Sequence, residues 1–364
     1  MLVENKQSRS IDLQRQVCWW LLIVVIMIFF MVIIGGITRL TGSGLSMVEW
    51  RPLMGTLPPM SQEEWARVFS LYQESPQYQQ VNEWMTLGDF KWIFFWEYLH
   101  RLFGRLIGLI FVLPWLYFLI RGALKGNLLW RSTIALILGG SQGLLGWYMV
   151  KSGLVDQPHV SHFRLAAHLS LAFLCGQWVW SILVDLKISH CFKDEEQLKS
   201  DPPKDSLKLM LSFLILLSVQ IIYGAFMAGS RAGLLYTTYP TMNGSWIAPT
   251  WYSETGELSL PSLNHLLSNP DSIHFIHRTL AIIVMGVGIW LVWRCLEAGS
   301  SLIKQLGILL GGVLVFQFLL GVLTVTSGMN LSIAASHQGG SFIVLTTTIT
   351  LIQVSIRRGQ LLGN

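Results

Sequence analysis

The sequence predicts an all-α polytopic membrane protein, with eight transmembrane helices arranged as two pseudo-symmetric four-helix bundles. Only 12% of its 364 residues are charged and 52% are hydrophobic, whereas a soluble domain carries roughly 25% charged residues. Apolar runs of roughly 20 residues, enough to cross a hydrocarbon core of about 30 Å, recur along the chain. The predicted spans are 17–37, 94–120, 129–150, 164–186, 207–228, 273–293, 302–326 and 333–356.

The net charge of +5 fits a membrane topology better than nucleic-acid binding. The Lys and Arg residues are scattered between the apolar runs, and the segments on one side, above all 187–208, hold most of them. By the positive-inside rule, both termini are predicted to be cytoplasmic. The first apolar run has no convincing cleavage site and is expected to stay as a helix. The N-terminus lacks an Arg- and Ser-rich transit segment, which favours a bacterial inner membrane over a mitochondrial one.

The four cysteines are predicted to be free thiols. Cys18 and Cys175 lie within or at the ends of spans, Cys295 at an inner helix end and Cys191 in an inner segment. None lies in an outer segment, where oxidising conditions would favour a disulfide. No cysteine chemistry is therefore expected.

A charged segment around 187–208, which contains adjacent prolines, is typical of a solvated linker between two halves. We predict an N-terminal half over 1–186, a cytoplasmic linker over 187–206 and a C-terminal half over 207–364. Each half carries the same landmarks in the same order, as duplicated membrane folds do. The pairs are GGITRLTGSGL at 35–45 with GAFMAGSRAGL at 224–234, EYLHR at 97–101 with HFIHR at 274–278, QGLLGWYMVKSGL at 142–154 with QFLLGVLTVTSGM at 317–329, and RLAAHLS at 164–170 with AASHQGG at 334–340.

The glycines of these landmarks allow two interpretations: close packing of neighbouring helices, or close approach to a flat macrocycle. The outer segments 38–93 and 229–272 are long and rich in aromatic residues and proline. Loops of this length in a compact protein are more often functional than idle, so we predict that they cap two sites.

Four histidines, one in each of the second, fourth, sixth and eighth spans, are predicted to form two pairs at one membrane depth. A histidine inside a span is costly unless it is paired or ligated. A hydrogen-bonded interfacial histidine would explain any one of them, but the repetition favours two facing imidazoles as axial ligands of a haem iron in each bundle. A zinc site would need further ligands that the second half lacks in its spans. The four are His100, His168, His277 and His337.

The remaining histidines are weaker candidates. His159, His162 and His265 are predicted to lie in outer loops and His190 in the inner linker, all of them solvated. His274 precedes His277 by three residues and shares its helical face, which makes it a second candidate ligand.

Glu97 lies one helical turn before His100 and is predicted to face the same site. The matching position in the second half is His274, so the two sites are expected to do different work. A carboxylate there would remove a proton or stabilise a developing positive charge. The alternative is an interfacial glutamate paired with Arg101 or Arg105. Arginines near the outer ends of spans would bind haem propionates or lipid headgroups; they are Arg39, Arg101, Arg105, Arg231 and Arg278.

Together these motifs resemble the heme A synthase family over nearly the whole chain. The most specific are FKWIFFWEYLHRLFGR at 90–105 and the four histidines in register. The long first outer segment, with WRPLMGTLPP at 50–59, resembles the mitochondrial and proteobacterial branch. Some bacterial members carry a cysteine pair in the outer loops that takes part in redox transfer. This sequence lacks that pair, so that electron route is not carried over.

The resemblance implies an oxidoreductase that makes haem A for cytochrome oxidase from haem O, by successive hydroxylations of the C8 methyl group and loss of water to give a formyl group. It implies that His100 and His168 hold the substrate haem beside a catalytic Glu97, and that His277 and His337 hold a haem b cofactor. The expected partners are haem O, its synthase, an unidentified electron donor, oxidase assembly factors and the lipid bilayer, without nucleic acid. The sequence leaves open whether the protein forms a homo-oligomer.

Two other classes compete. A di-haem b-type membrane electron-transfer cytochrome would explain the histidines, but it leaves Glu97 and the unequal halves unexplained. A transporter with repeated halves would place broken helices and polar groups near the bilayer midplane. Here the polar groups are predicted to crowd the outer ends of the spans, which argues against transport.

Overall fold

The computed structural model describes residues 2–49, 57–154, 158–191 and 206–362. Within these ranges eight helices are long and apolar enough to cross a membrane, which confirms the predicted number of spans. Two shorter helices, α2 (Gln62–Gln73) and α7 (Leu263–Ser268), belong to the two long outer segments. The long helices are α1 (Leu2–Leu40), α3 (Leu87–Ile120), α4 (Gly126–Lys151), α5 (His162–Cys191), α6 (Ser206–Ser230), α8 (Pro270–Leu296), α9 (Ser301–Thr326) and α10 (Leu331–Leu362).

Helices α1, α5, α6 and α10 form a central layer, with α3 and α4 packed on one side of it and α8 and α9 on the other. Polar side chains tie this layer together within the span: Gln338 Nε2 donates to the Val32 carbonyl at 2.7 Å, and Trp180 Nε1 donates to Thr350 Oγ1 at 2.8 Å. Because lipid supplies no hydrophobic drive between helices, such bonds and close packing are what hold membrane helices together.

The predicted linker over 187–206 is helical at both of its ends. Helix α5 continues to Cys191 and α6 begins at Ser206, so helix covers both ends of the predicted 187–206 segment. A membrane helix is free to extend past the hydrocarbon core into water, where charged residues are tolerated. The stretch 192–205 and most of the 50–59 motif, residues 50–56, lie outside the described residues.

The first outer segment packs an aromatic cluster against the outer part of α3. Tyr72 of α2 stacks on Phe90 with ring centroids 5.1 Å apart. Its hydroxyl donates to Gln77 Oε1 at 3.0 Å and accepts from Asn82 Nδ2 at 2.7 Å. Burial raises the pKa of Tyr72 to about 12, so the phenol stays protonated at neutral pH. This segment is therefore an ordered cap around its described residues.

Three cysteines have described side chains, namely Cys18, Cys175 and Cys295, and all three are buried and free, as predicted. The side chains of Cys191 and His190 lie outside the described part of the structure.

Gly176 lies where α5 crosses α10 most closely. A Cβ at this position would lie 2.6 Å from the Phe342 ring and 3.1 Å from Ile28. We expect Gly176→Leu to destabilise the protein by about 1–3 kcal/mol, as overpacking does, and to lower the Tm of the detergent-purified protein by several degrees. Gly312→Leu on α9 is the matched control, since nothing lies within 4 Å of its Cβ position. Equal Tm values for both variants would contradict this account of the crossing.

Candidate functional site

Each of the four predicted site histidines packs against a glycine on the preceding membrane-spanning helix. A Cβ on Gly35 or Gly224 would lie 3.1 Å from Cε1 of His100 or His277, respectively. The same holds for Gly146 with His168 and for Gly321 with His337, at 2.9 Å. The glycines can be interpreted as sites of close packing or of close approach to a macrocycle. Close packing applies to these four glycines, and each packs against an imidazole ring. The contacts also establish the same register in both halves.

The structure brings the histidines together in the predicted pairs. His100 lies within electrostatic range of His168, and His337 within electrostatic range of His277. His277 and His337 line one cavity of about 210 Å³. In the part of the chain that the structure describes, no group of three or more His, Cys, Asp or Glu side chains is arranged to hold a metal ion. Two histidines per site match the ligand set of a six-coordinate haem.

Three glutamines also pack at these histidines, a feature that the sequence reasoning did not single out. Gln142, Gln220 and Gln317 each donate from Nε2 to the carbonyl oxygen of a site histidine, at 3.0, 3.1 and 2.8 Å. Each glutamine precedes a histidine-contacting glycine by four residues, so the Q-x-x-x-G spacing was the available signal. The corresponding residue on α1 is Met31, which breaks the pattern in the N-terminal half.

Several buried polar atoms at the sites have no hydrogen-bond partner among the described residues. They include Nδ1 of His100, His168 and His277, and Oε1 of the three glutamines. A buried polar atom without a partner is costly, and such atoms concentrate where a ligand binds. The glycine contacts and the unpartnered polar atoms at both pairs, together with the cavity at His277 and His337, fit a haem held between the two histidines of a pair.

His274 is not a free ligand. It is 1% exposed and both of its ring nitrogens are engaged: Nδ1 lies 3.0 Å from the Ala232 carbonyl and Nε2 lies 3.1 Å from Arg278 Nη2. These contacts fix the imidazole as a structural bridge between α8 and the second outer segment, so its candidacy as a ligand was wrong.

Two of the histidines predicted to be solvated are partly buried. His162 opens helix α5 rather than lying in a loop, and its Nε2 lies 3.1 Å from the Leu267 carbonyl. His265 Nδ1 lies 2.8 Å from Ser272 Oγ. Both contacts are tertiary, which is why local sequence did not reveal them. His159 is exposed, as predicted.

Glu97 is 2% exposed and is held at the outer side of the N-terminal site. Its Oε1 accepts from Arg101 at 2.5 Å, and its Oε2 accepts from Ser46 Oγ and from the Met47 backbone N–H, both at 2.7 Å. The first outer segment therefore positions this carboxylate. The Arg101 partnership matches the alternative weighed above, and it leaves a role in catalysis open, because a positioned charge is also what transition-state stabilisation requires.

Two arginines face the C-terminal cavity from its outer end. Arg39, at the end of α1, donates to the carbonyls of Ala228 and Gly229 at 3.0 Å each. Arg278, on α8, donates to the carbonyls of Thr238 and Thr241 at 2.9 and 2.8 Å. A helix of the predicted N-terminal half thus contributes to the C-terminal cavity, which the repeat alone did not predict.

A side chain at Gly321 would displace the His337 ring, because its Cβ would lie 2.9 Å from Cε1. We expect Gly321→Val to reduce the haem content of the C-terminal site by about tenfold. Overpacking costs about 1–3 kcal/mol, and here the added side chain would displace the His337 ring itself. The measurement is haem per chain by extraction. Gly312→Val on the same helix, at a position with open space, should bind haem as the wild type does; the same loss there would contradict the explanation.

The fold and the site define a multi-pass α-helical membrane protein with two pairs of partly buried histidines. The family model for the COX15-CtaA cytochrome oxidase assembly proteins matches residues 18–349. The chain belongs to this family.

Curated relatives match over most of their length. The chain is 41% identical to the heme A synthase of Nitrosospira multiformis over 87% of this chain and 86% of that one. It is 39% identical to that of Flavobacterium psychrophilum, over 88% and 93%, and 38% identical to that of Rhodospirillum centenum, over 85% and 80%.

Proposed function

We propose that this protein is a heme A synthase, an oxidoreductase that converts haem O to haem A for cytochrome oxidase by oxidising the C8 methyl group to a formyl group. The proposal is supported by the family, by the names of relatives about 40% identical over most of the chain, and by the two pairs of partly buried histidines. The observation that carries it is the pairing itself, because each pair presents two imidazoles that each pack against a glycine of the preceding membrane-spanning helix.

In this proposal the two halves divide the work. The N-terminal half, 1–186, holds the substrate haem between His100 and His168, and the C-terminal half, 207–364, holds haem b between His277 and His337. The 187–206 segment links them on the cytoplasmic side. Haem b, when bound, supplies one-electron chemistry to the reaction.

The residues around the substrate do the positioning. His100 and His168 would hold the iron of the substrate, which would leave the porphyrin edge that carries the methyl group free to react. Glu97 is the catalytic residue of the proposal. Both of its oxygens already accept hydrogen bonds, which favours stabilisation of positive charge at the reacting carbon over proton removal. Arg39 and Arg278 face the outer end of the C-terminal cavity and suit the carboxylates of haem b.

The same reasoning extends to location and partners. We propose a bacterial inner membrane with both termini cytoplasmic, since the basic residues concentrate on that side. Haem O is then supplied from within the bilayer by its synthase, electrons come from a separate donor, and the product passes to oxidase assembly factors.

The test is extraction and mass analysis of the haems bound to protein purified from cells that also make haem O. Haem b together with haem A, or with a hydroxylated intermediate, is the expected result. The second candidate is a di-haem electron-transfer cytochrome, favoured by the equal histidine pairs. Haem b alone in both sites, with no haem A formed, would support that candidate instead.

A further inference from the structure

The two halves differ at positions of α4 and α9 that face their sites. With Gln142 aligned on Gln317, Gly139 and Gly143 of α4 take the places of Leu314 and Phe318 of α9. Leu314 and Phe318 both line the C-terminal cavity. In the N-terminal half nothing lies within 4 Å of a Cβ at either glycine. The N-terminal site is therefore missing two large side chains that close its counterpart.

The helices that carry the first histidine of each pair differ in the same way. With His100 aligned on His277, Gly108 of α3 takes the place of Met285 of α8. Met285 also lines the C-terminal cavity, whereas a Cβ at Gly108 would meet nothing within 4 Å. Three cavity-lining positions are thus glycine in one half and large in the other.

These substitutions coincide with a gap between helices. Helices α8 and α9 pack together along their length, but α3 and α4 touch at few positions. Gly108, Gly139 and Gly143 are themselves exposed, whereas Leu314, the counterpart of Gly139, is 4% exposed. We name this lateral opening, lined by Gly108, Gly139 and Gly143, the α3–α4 slot. It opens toward lipid.

The depth of the slot follows from helix geometry. Gly143 and Gly139 precede the histidine-contacting Gly146 by three and seven residues, which places them about 4.5 and 10.5 Å along the axis at 1.5 Å per residue. Gly108 follows His100 by eight residues, about 12 Å along α3. The slot therefore runs from the histidines toward the middle of the bilayer, on the side away from Glu97.

A second observation concerns unpartnered polar atoms at the site to which the slot leads. Nδ1 of His100, Nδ1 of His168 and Oε1 of Gln142 are buried and have no hydrogen-bond partner within the described ranges. Gln317 and Phe318, the counterparts of Gln142 and Gly143, line one cavity in the C-terminal half, so we infer that Gln142 and the slot share one space as well.

We propose that the α3–α4 slot takes the isoprenoid tail of haem O, and that Gly108, Gly139 and Gly143 make the N-terminal site specific for a tailed haem over haem b. The inference rests on the proposed function and deepens it. Haem O differs from haem b by a long apolar chain on the porphyrin edge. Such a chain is most stable in lipid, so it should leave the helical bundle at the depth of the hydrocarbon core. A sideways opening also lets a lipid-soluble substrate enter and its product leave without crossing water. The C-terminal half, filled by Met285, Leu314 and Phe318, admits only the tail-less haem.

The experiment transplants the C-terminal residues, as the double variant Gly139→Leu/Gly143→Phe, into protein made beside a source of haem O. Haems are extracted, identified by mass and counted per chain. We expect haem O plus haem A to fall by about tenfold or more, with haem b kept at one per chain or raised toward two as the N-terminal site accepts it. Gly140→Val is the matched control: Gly140 corresponds to Val315, which is 51% exposed and outside the cavity lining. It should bind haem as the wild type does.

The outcomes separate this inference from the proposed function. If the wild type makes no haem A and binds no haem O, the proposed function fails. If the wild type makes haem A and the double variant binds haem O equally well, the slot assignment alone is overturned. A graded series at position 143, Gly143→Ala, Gly143→Leu and Gly143→Phe, guards against misfolding. Haem O content should fall with side-chain volume while haem b stays at one per chain or rises toward two, and a fall that ignores volume would overturn the assignment.

Discussion

Alanine in place of His277 or His337 is expected to remove haem b from the purified protein and to abolish haem A formation. The two imidazoles line one cavity, and His274, the third histidine in its lining, is already engaged through Nε2, 3.1 Å from Arg278 Nη2. Loss of a residue that only hydrogen-bonds a metal ligand costs about 10- to 100-fold in metal affinity. Loss of the ligand itself should lower the affinity further. The measurements are haem b per chain and the low-spin absorption spectrum of the purified protein.

The reciprocal variants test the division of labour. His100→Ala and His168→Ala should lose haem O and haem A but keep one haem b per chain. These two histidines form the N-terminal pair, and haem b is assigned to the C-terminal pair. His265→Ala is the control for a histidine of the C-terminal half that does not line the cavity, and it should keep all haems. Loss of haem b from the N-terminal variants, or its full retention in the C-terminal ones, would contradict the assignment.

The spans were predictable because the bilayer imposes length and composition on every transmembrane helix. The four site histidines were predictable because the chain shows the same landmarks twice, and the structure adds the glycine contacts. The position of Glu97 beside the site could be predicted because a residue three positions from a histidine shares its helical face. Its actual partners, Ser46 and Met47, lie about fifty residues away in the outer segment, and no local pattern specifies them.

What escaped prediction depended on contacts between distant segments. His274 has the spacing of a ligand, but the carbonyl of Ala232, 42 residues earlier, occupies its Nδ1. The role of Arg39 at the C-terminal cavity depends on how α1 packs against α6. The α3–α4 slot was visible in principle in the aligned QGLLG and QFLLG motifs, but its meaning required knowing that Phe318 faces inward. Interior faces of membrane helices are hard to identify because lipid-facing and core residues are equally apolar.

Glu97→Gln is expected to lower haem A formation by about 10² to 10³, the range for removal of one group that stabilises transition-state charge, while haem b stays at one per chain. Glutamine keeps the shape but loses the charge, and its amide would point a donor at Arg101. The measurement is the ratio of haem A to haem O in extracts of purified protein. Normal haem A accumulation in the variant would show that the carboxylate is not needed.

A structural role for the same carboxylate predicts a different pattern. Removing one partner of a buried ion pair typically costs about 3–5 kcal/mol because it strands the other charge, so Glu97→Gln alone mixes loss of stability with loss of chemistry. Glu97→Gln/Arg101→Gln removes both charges. If Glu97 only supports the fold, the double variant regains stability and haem A formation together. If Glu97 acts on the substrate, the double variant regains Tm and haem O binding but not haem A. Ser46→Ala, which removes one hydrogen bond to the carboxylate at 2.7 Å and no charge, should lose activity by about 10- to 100-fold, because a hydrogen bond to a charged group contributes about 1.5–3 kcal/mol. A larger loss there than in Glu97→Gln would move the catalytic role from the carboxylate to the outer segment that holds it.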